Sequence, residues 1–557
     1  MDWKRAILLG VIALFLPVVA LAQNNPMRGP NGRVHALLDA TSGGIDGRVH
    51  KLYTGESEAS LQTAPQTMAP DYFPPPAMPV PPLPAAVTIT GGQLKGQVVG
   101  DGTYAFRDIP FAAPPTGRLR WAPPQDPAPW QGVRDAAGPS APACLQNDYG
   151  WQTDMAAKSS EDCLYLEVRT PSLDPGAKKP VIVWLHGGAN RAGGGMGTIS
   201  SAIATKDVVI VSIQYRLGVF GFLSHPALTA ERGVGASGNY ALMDQVKALQ
   251  WVQANIAQFG GDPYNVTLMG HSAGGQDVGL LLTTPLARGL FQKAIEESGT
   301  PQFGFAPRTL AQNEAMGVAL ASQFSRSAPD SAQALADLRA TPARDLQVAG
   351  DKLQAPLEDQ SFIWDQATVD GYVLPRPPED VFRAGEAAKV PLLIGVSARE
   401  LTLEDVTKDY DAALTVRFGA SRAVVDAYDG HDDPLYGDRV MQTSSDILVR
   451  CPADFVARHM AGPVYLYQLD VDNGGTIHHG SELNFVMNAR PPGKGDGAWP
   501  PLLDYWTQFA KIGVPAGKGL AEWPVYGAGH RYIEFTPEGA KTGAAWREPV
   551  CALLGRP

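Results

Sequence analysis

Apolar residues in this chain gather in short runs bounded by turn residues. Val181-Ile182-Val183-Trp184-Leu185 is one run, and Val208-Val209-Ile210-Val211-Ser212-Ile213 is another. Val266-Thr267-Leu268-Met269 is a third, and Pro391-Leu392-Leu393-Ile394-Gly395-Val396 a fourth. They show little polar alternation, the pattern of strands buried on both faces of a parallel sheet. Between the second and third, Tyr240 to Phe259 sets Leu242, Val246, Leu249, Val252 and Ile256 at helical spacing. That stretch stops at Gly260-Gly261-Asp262-Pro263. Strand, helix, strand in this order predicts an α/β domain with a mostly parallel, doubly wound central sheet and helices on both faces.

The first eighty-odd residues have a different texture. Lys4 and Arg5 precede an apolar stretch from Ala6 to Leu21, and Ala20-Leu21-Ala22 has the small-x-small pattern of a signal-peptidase site. Residues 1–22 are therefore expected to be a secretory signal cut after Ala22. An uncleaved anchor is the competing reading, which Pro17 and the small-residue site disfavour. No cysteine sits at the cut, and no other run is long and apolar enough to span a bilayer. Residues 23–86 carry a four-residue echo, Gly32-Arg33-Val34-His35 and Gly47-Arg48-Val49-His50. A proline-rich stretch follows, from Phe73-Pro74-Pro75-Pro76 to Pro81-Pro82-Leu83-Pro84. It reads as an extended spacer, with a partner ligand as the alternative. From Val87 to residue 557 the texture is globular.

Composition narrows the class. Hydrophobic residues make up 44% of the 557 positions and charged residues 18%, ample for a core. A net charge of -11 disfavours a grip on nucleic-acid phosphates. Four cysteines, Cys144, Cys163, Cys451 and Cys551, in an exported chain point to two disulfides, with three pairings open.

Gly270-His271-Ser272-Ala273-Gly274 fits Gly-x-Ser-x-Gly, a pattern that chance supplies easily in a chain with 60 glycines. Here it follows the Val266–Met269 strand and precedes a helix-like run from Gln276 to Leu282. That is the setting of a nucleophile elbow, whose flanking glycines admit a strained turn. The bland alternative is a glycine-rich turn with an N-cap serine. A serine nucleophile needs a base, a carboxylate to orient the base, and donors for the oxyanion. His186-Gly187-Gly188-Ala189, directly after a strand, is of the type that supplies such donors, here the amides of Gly188 and Ala189 with that of Ala273.

These segments and several others resemble the type-B carboxylesterase family, which includes cholinesterases and bacterial para-nitrobenzyl esterases. The likeness covers Arg107-Asp108-Ile109-Pro110-Phe111-Ala112-Ala113-Pro114-Pro115, which looks like an early family loop, and Arg118-Leu119-Arg120-Trp121. It continues through Ser160-Glu161-Asp162-Cys163-Leu164-Tyr165-Leu166 and Asn239 to Pro263. It runs from about Val87 nearly to the C-terminus and implies an α/β-hydrolase fold. It also implies that His479, in His479-Gly480-Ser481-Glu482-Leu483, is the base and Glu400 the acid. By residue type alone, His478 rivals the one and Glu404 and Asp405 the other. The order Ser272, Glu400, His479 suits the fold. The resemblance further implies the disulfides Cys144–Cys163 and Cys451–Cys551, and a supporting role for Ser298.

This chain departs from the family at several points. His271 stands where many relatives have glutamate, and Asn190 where an aromatic is frequent. Leu401 replaces a usual glycine, and Trp151 is offset from the position of a choline-stacking tryptophan, so it reads as loop packing. Asp470-x-Asp472-x-Gly474 reads as a turn and not as a calcium loop. Asn265-Val266-Thr267 is a sequon expected to be buried in a strand. The expectation is a secreted or periplasmic carboxylic ester hydrolase acting on small esters, with no cofactor, metal or nucleic acid and no membrane span after signal removal. A non-catalytic binding protein is the rival, disfavoured by the presence of serine, histidine and acid together. A hydrolase of amides, carbamates or lactones is a third reading.

Overall fold

A computed structural model describes residues 84–301, 307–353, 367–401, 426–428, 432–472 and 474–553. The expected signal, its cut after Ala22, the echoed motif and most of the proline stretch lie outside these residues, as do Glu404 and Asp405.

A 13-stranded sheet organises the molecule. In chain order its first strands are β1 (Pro84–Ile89), β2 (Gly92–Val98), β3 (Tyr104–Pro110), β4 (Val133–Asp135) and β5 (Tyr165–Thr170). The centre is β6 (Lys179–Leu185), β7 (Val209–Ile213), β8 (Gly261–His271) and β9 (Lys293–Glu297). Two short strands, β10 (Arg308–Thr309) and β11 (Thr368–Val369), pair apart from it. β12 (Leu392–Ser397), β13 (Val464–Leu469), β14 (Arg531–Thr536) and β15 (Gly539–Ala544) complete it. The spatial order is β1-β2-β3-β5-β7-β6-β8-β9-β12-β13-β14-β15, with β4 beside β2. From β7 to β14 every neighbouring pair is parallel, and antiparallel strands flank that block on both sides.

The missing polar alternation has a direct cause. Along β6, Val181, Val183 and Leu185 join one core, while Ile182 and Trp184 join the other. The first core packs α1 (Tyr240–Asn255), α2 (Ala273–Thr283) and α3 (Cys451–His459). The second packs α4 (Ser481–Met487) and α5 (Leu502–Ile512). With helices on both faces, side chains pointing either way must be apolar. The helical stretch from Tyr240 relaxes into a 3-10 turn at Ile256–Phe259.

Two stretches of sequence take unexpected places. Pro84, read as the end of the spacer, opens β1 opposite Gln97. An edge strand's first residue can lack an N–H without losing a sheet bond. Arg107 to Pro110, read as loop, completes β3, where the register shifts between Phe106 and Ile109.

The motifs that carry the resemblance meet in space. Arg120 grips Glu161 with two bonds of 2.7 Å, and its third nitrogen caps the carbonyls of Leu338, Arg339 and Thr341. Buried Arg216 holds buried Asp244 on α1 with two bonds of 2.7 Å. Cys144 is joined to Cys163 and Cys451 to Cys551, the pairing the resemblance implies.

Candidate active site

The chain enters the sheet centre at β6, adds β7 on one side, then returns to add β8 on the other. At such a switch in strand order the loops beyond the strands' carboxyl ends splay apart and leave a crevice. The segments of interest all leave strands at that end. His186 follows β6, Ser272 follows β8, Ser298 follows β9, Glu400 lies beyond β12, and His479 lies beyond β13.

Ser272 has φ 56° and ψ -123°, which ordinary residues rarely adopt. Its amide donates to Glu297 O at 2.8 Å, and its carbonyl accepts from Gln276 N at 2.8 Å. The turn closes because Gly274 has no side chain: a methyl there would stand 2.2 Å from Leu185 O. Ala273 opens α2, so its amide belongs to the unpaired N-terminal turn of a helix. Gly188 has φ +116°, and a methyl there would stand 2.0 Å from Ala192 O. Ala189 and Asn190 follow at φ 54° and 57°. Gly187 packs against the serine, its missing Cβ position lying 3.0 Å from Ser272 Cβ.

His479 and Glu400 are both fully buried, with His479 Nδ1 2.5 Å from Glu400 Oε2. The ring of His478 is instead bonded to His479 O at 3.0 Å. The other carboxylate oxygen of Glu400 accepts from Ser298 Oγ at 2.8 Å and from Ser397 N at 2.7 Å. Ser445 Oγ accepts the Glu400 amide at 3.0 Å. A second carboxyl, Glu482 at the start of α4, lies 2.5 Å from Ser298 Oγ and takes the Ser397 hydroxyl at 2.9 Å. One serine proton cannot serve two carboxylates. Burial raises Glu482 to about 7 and Glu400 to about 8, so a proton is retained between the two carboxyls; on Glu482 it lets that group donate to Ser298, which then donates to Glu400. Glu482 and Ser397 were given no part by the sequence reading. Glu482 stood inside the quoted His479-Gly480-Ser481-Glu482 segment, but nothing in its spacing announced the contact.

Burial opposes charge on both partners. It pushes the Glu400 carboxyl up to about 8 and His479 down to about 3, the latter helped by His478. The two titrate as one unit. Losing one proton leaves a carboxylate facing a neutral imidazole. The Ser298 hydroxyl and Ser397 amide favour that form by donating to Glu400.

The departures have structural counterparts. His271 is fully buried with its ring centre 4.7 Å from that of His479, and burial holds it well below the usual histidine range, so it adds no charge there. Asn190 is 2% exposed and turns its side chain to Asp277. Trp151 is buried on the loop closed by Cys144 and Cys163, and Leu401 is buried as well. Asp472 Oδ1 accepts Gly474 N at 2.8 Å, closing a turn. Asn265, expected to be buried, is half-buried at the outer part of β8, and its amide nitrogen donates to Lys511 O at 3.3 Å.

Sheet order, helices on both faces and a cluster of loop-borne groups beyond the strand ends define an α/β-hydrolase. Known proteins agree. The model of the carboxylesterase family matches residues 84–553. A pyrethroid hydrolase of Mus musculus is 33% identical over 81% of this chain and 87% of its own length. A fumonisin B1 esterase of Sphingopyxis macrogoltabida is 34% identical over 81% of this chain and 86% of its own. A solved carboxylesterase of Geobacillus stearothermophilus superposes with a TM-score of 0.71 at 29% identity, over 84% of this chain and 99% of that one. The chain belongs to the type-B carboxylesterase family and is a carboxylesterase, an enzyme of small-molecule esters.

Proposed function

We propose that this enzyme hydrolyses carboxylic esters through an acyl-enzyme on Ser272, with His479 as base and Glu400 as its orienting carboxylate. Ser272 Oγ attacks the ester carbonyl carbon and its proton passes to His479. The N–H groups of Gly188, Ala189 and Ala273 hold the oxyanion that forms. As the C–O bond breaks, His479 returns the proton to the leaving alcohol. Water then attacks the acyl-enzyme by the same route and releases the acid. Glu400 fixes the tautomer and stabilises the imidazolium, while Ser298, bridging to Glu482, steadies Glu400 from behind. The scheme draws on no cofactor or metal. The observation that carries this reading is the 2.5 Å contact between buried His479 and Glu400, beyond the same sheet edge as the strained serine turn.

Export belongs to the same proposal. Two disulfides suit an oxidising compartment. The basic start, the apolar stretch and Ala20-Leu21-Ala22 support cleavage after Ala22 and a secreted or periplasmic enzyme. Residues 23–83, ahead of β1, then tether or space the catalytic domain.

Nitrophenyl esters of graded acyl length, with matched amides, test the reaction on wild type and Ser272→Ala. The variant should lose about 10⁶-fold in turnover. An organophosphate should label Ser272. A label on another serine, with activity kept in Ser272→Ala, would overturn the assignment.

A further inference from the structure

The loop that carries Gly188 and Ala189 has a conformational difficulty. Ala189 and Asn190 both lie in the left-handed region, at φ 54° and 57°, which costs a side-chain-bearing residue energy that glycine avoids. Backbone bonds restrain the loop in part: Arg191 N and Ala192 N donate to Gly188 O at 3.0 Å, and Gly218 N donates to Asn190 O at 2.7 Å. Side chains tie it as well: Arg191 pairs with Asp351 at 3.2 Å, Gln146 accepts Gly193 N at 2.9 Å, and a third tie runs to the nucleophile helix. Asn190 Nδ2 donates to Asp277 Oδ1 at 3.2 Å, and Gln245 Nε2 donates to Asp277 Oδ2 at 2.5 Å. Asp277 is on α2, the helix opened by Ala273, and Gln245 is on α1. All three side chains are buried.

This placement is hard to account for as packing. Burial pushes the Asp277 carboxyl up to about 7, and only the amides of Gln245 and Asn190 hold it down, with no cation contributing. Asn190 Oδ1 and Gln245 Oε1 are buried and meet no donor among the described residues. Polar groups kept at such cost normally fix a geometry. Here they join the two segments whose amides must converge on one oxygen. Gly188 and Ala189 are on the loop, Ala273 is on the helix, and oxyanion donors work only when their spacing is held within about half an ångström.

We propose that Asn190, Asp277 and Gln245 form a positioning relay that sets the oxyanion-binding loop against the nucleophile helix, so that Asp277 governs stabilisation of the transition state and not binding of the ester. The proposal rests on the acyl-transfer reading given above.

Asp277→Leu cuts the relay at its centre. Asp277→Asn keeps it, since the new amide can accept from one neighbour and donate to the free oxygen of the other. Asn190→Ala releases only the loop end and carries the test if Asp277→Leu does not fold. Each variant is compared with wild type in kcat, in KM for a soluble nitrophenyl ester, and in affinity for a trifluoromethyl ketone. That ketone forms an anionic adduct on the nucleophilic serine. Asp277→Leu and Asn190→Ala should lower kcat by about 10- to 100-fold, less than outright loss of an oxyanion donor. Ketone affinity should fall in parallel, with KM changed less than about twofold. Asp277→Asn should stay within about threefold of wild type. A loss confined to KM, an unchanged ketone affinity, or an Asn variant as weak as the Leu variant would overturn the relay. Failure of the acyl-transfer reading looks different: wild type would then take no organophosphate label on Ser272.

Discussion

Ser272 is held almost wholly by backbone. Its amide and carbonyl are bonded to Glu297 O and Gln276 N, and the turn around it closes because Gly274 lets two chain segments touch. Glu400 and His479 are held mostly by side chains, with Ser298 and Ser445 reaching in from two other segments, and Ser397 and Glu482 lying three residues away along their own. The elbow is therefore a backbone structure, announced by five consecutive residues and closed against Glu297 and Leu185. The proposed acid–base half is an assembly that exists only once β9, β12, β13 and α4 have packed. Errors in the first should act through backbone collision, and errors in the second through lost hydrogen bonds and altered proton affinity.

The largest effect belongs to the assembled half. His479→Ala should cost nearly the full 10⁶-fold of losing the serine, whereas His478→Ala should cost about threefold or less. Steady-state turnover on one ester decides this, and a reversal of the two results would move the base by one position. Next comes the elbow. Gly274→Ala sets a methyl 2.2 Å from Leu185 O, so β6 and α2 must part. A displacement near 1 Å should cut turnover by about 10²-fold and lower the melting temperature. Unchanged melting and turnover would mean that the crossing is not tight.

Ser298→Ala is milder and more diagnostic. Turnover should fall by about tenfold, the scale of one charge-assisted hydrogen bond. The wild-type rate should rise with pH as the His479–Glu400 pair loses its one proton, with the limb drawn toward the value of about 8 to which burial pushes Glu400. The Ser298 hydroxyl favours the carboxylate, so without it the pair keeps its proton to higher pH. The acid limb should therefore move up, by about one unit. A limb that stays in place or moves down would show that Ser298 does not act on Glu400. The smallest effect is reserved for the N-terminal extension. The family match starts at residue 84 and every candidate group lies beyond His186. Deleting residues 23–80 should leave melting within about 2 °C and kcat/KM within about twofold. A large drop in either would make the extension part of the catalytic fold.

How much was legible in the sequence follows the same division. The strands at 181–185, 208–213, 266–269 and 391–396 announced themselves because burial on both faces leaves almost no polar residue in them, Ser212 and Thr267 excepted. The elbow was legible because its constraint is local: a strand, two glycines about a serine, and a helix. The antiparallel strands β1, β2, β3 and β5 were not legible, because polar residues interrupt their apolar positions and Pro84 and Pro110 stand at strand ends, where proline marks a boundary.

Residue types alone left His478 against His479, and Glu400 against Glu404 and Asp405. A proton-transfer pair is a matter of ångströms, and neighbours along a chain differ only by the direction in which the fold turns them. The sequence by itself determined an α/β sheet, a strained serine turn and a glycine loop, because each depends on a few adjacent residues. The tertiary structure alone decided that Glu482 and Ser397 stand behind Glu400, and that Asn190 reaches Asp277. Those contacts join residues 85 and 87 positions apart, and only the packed sheet brings them together.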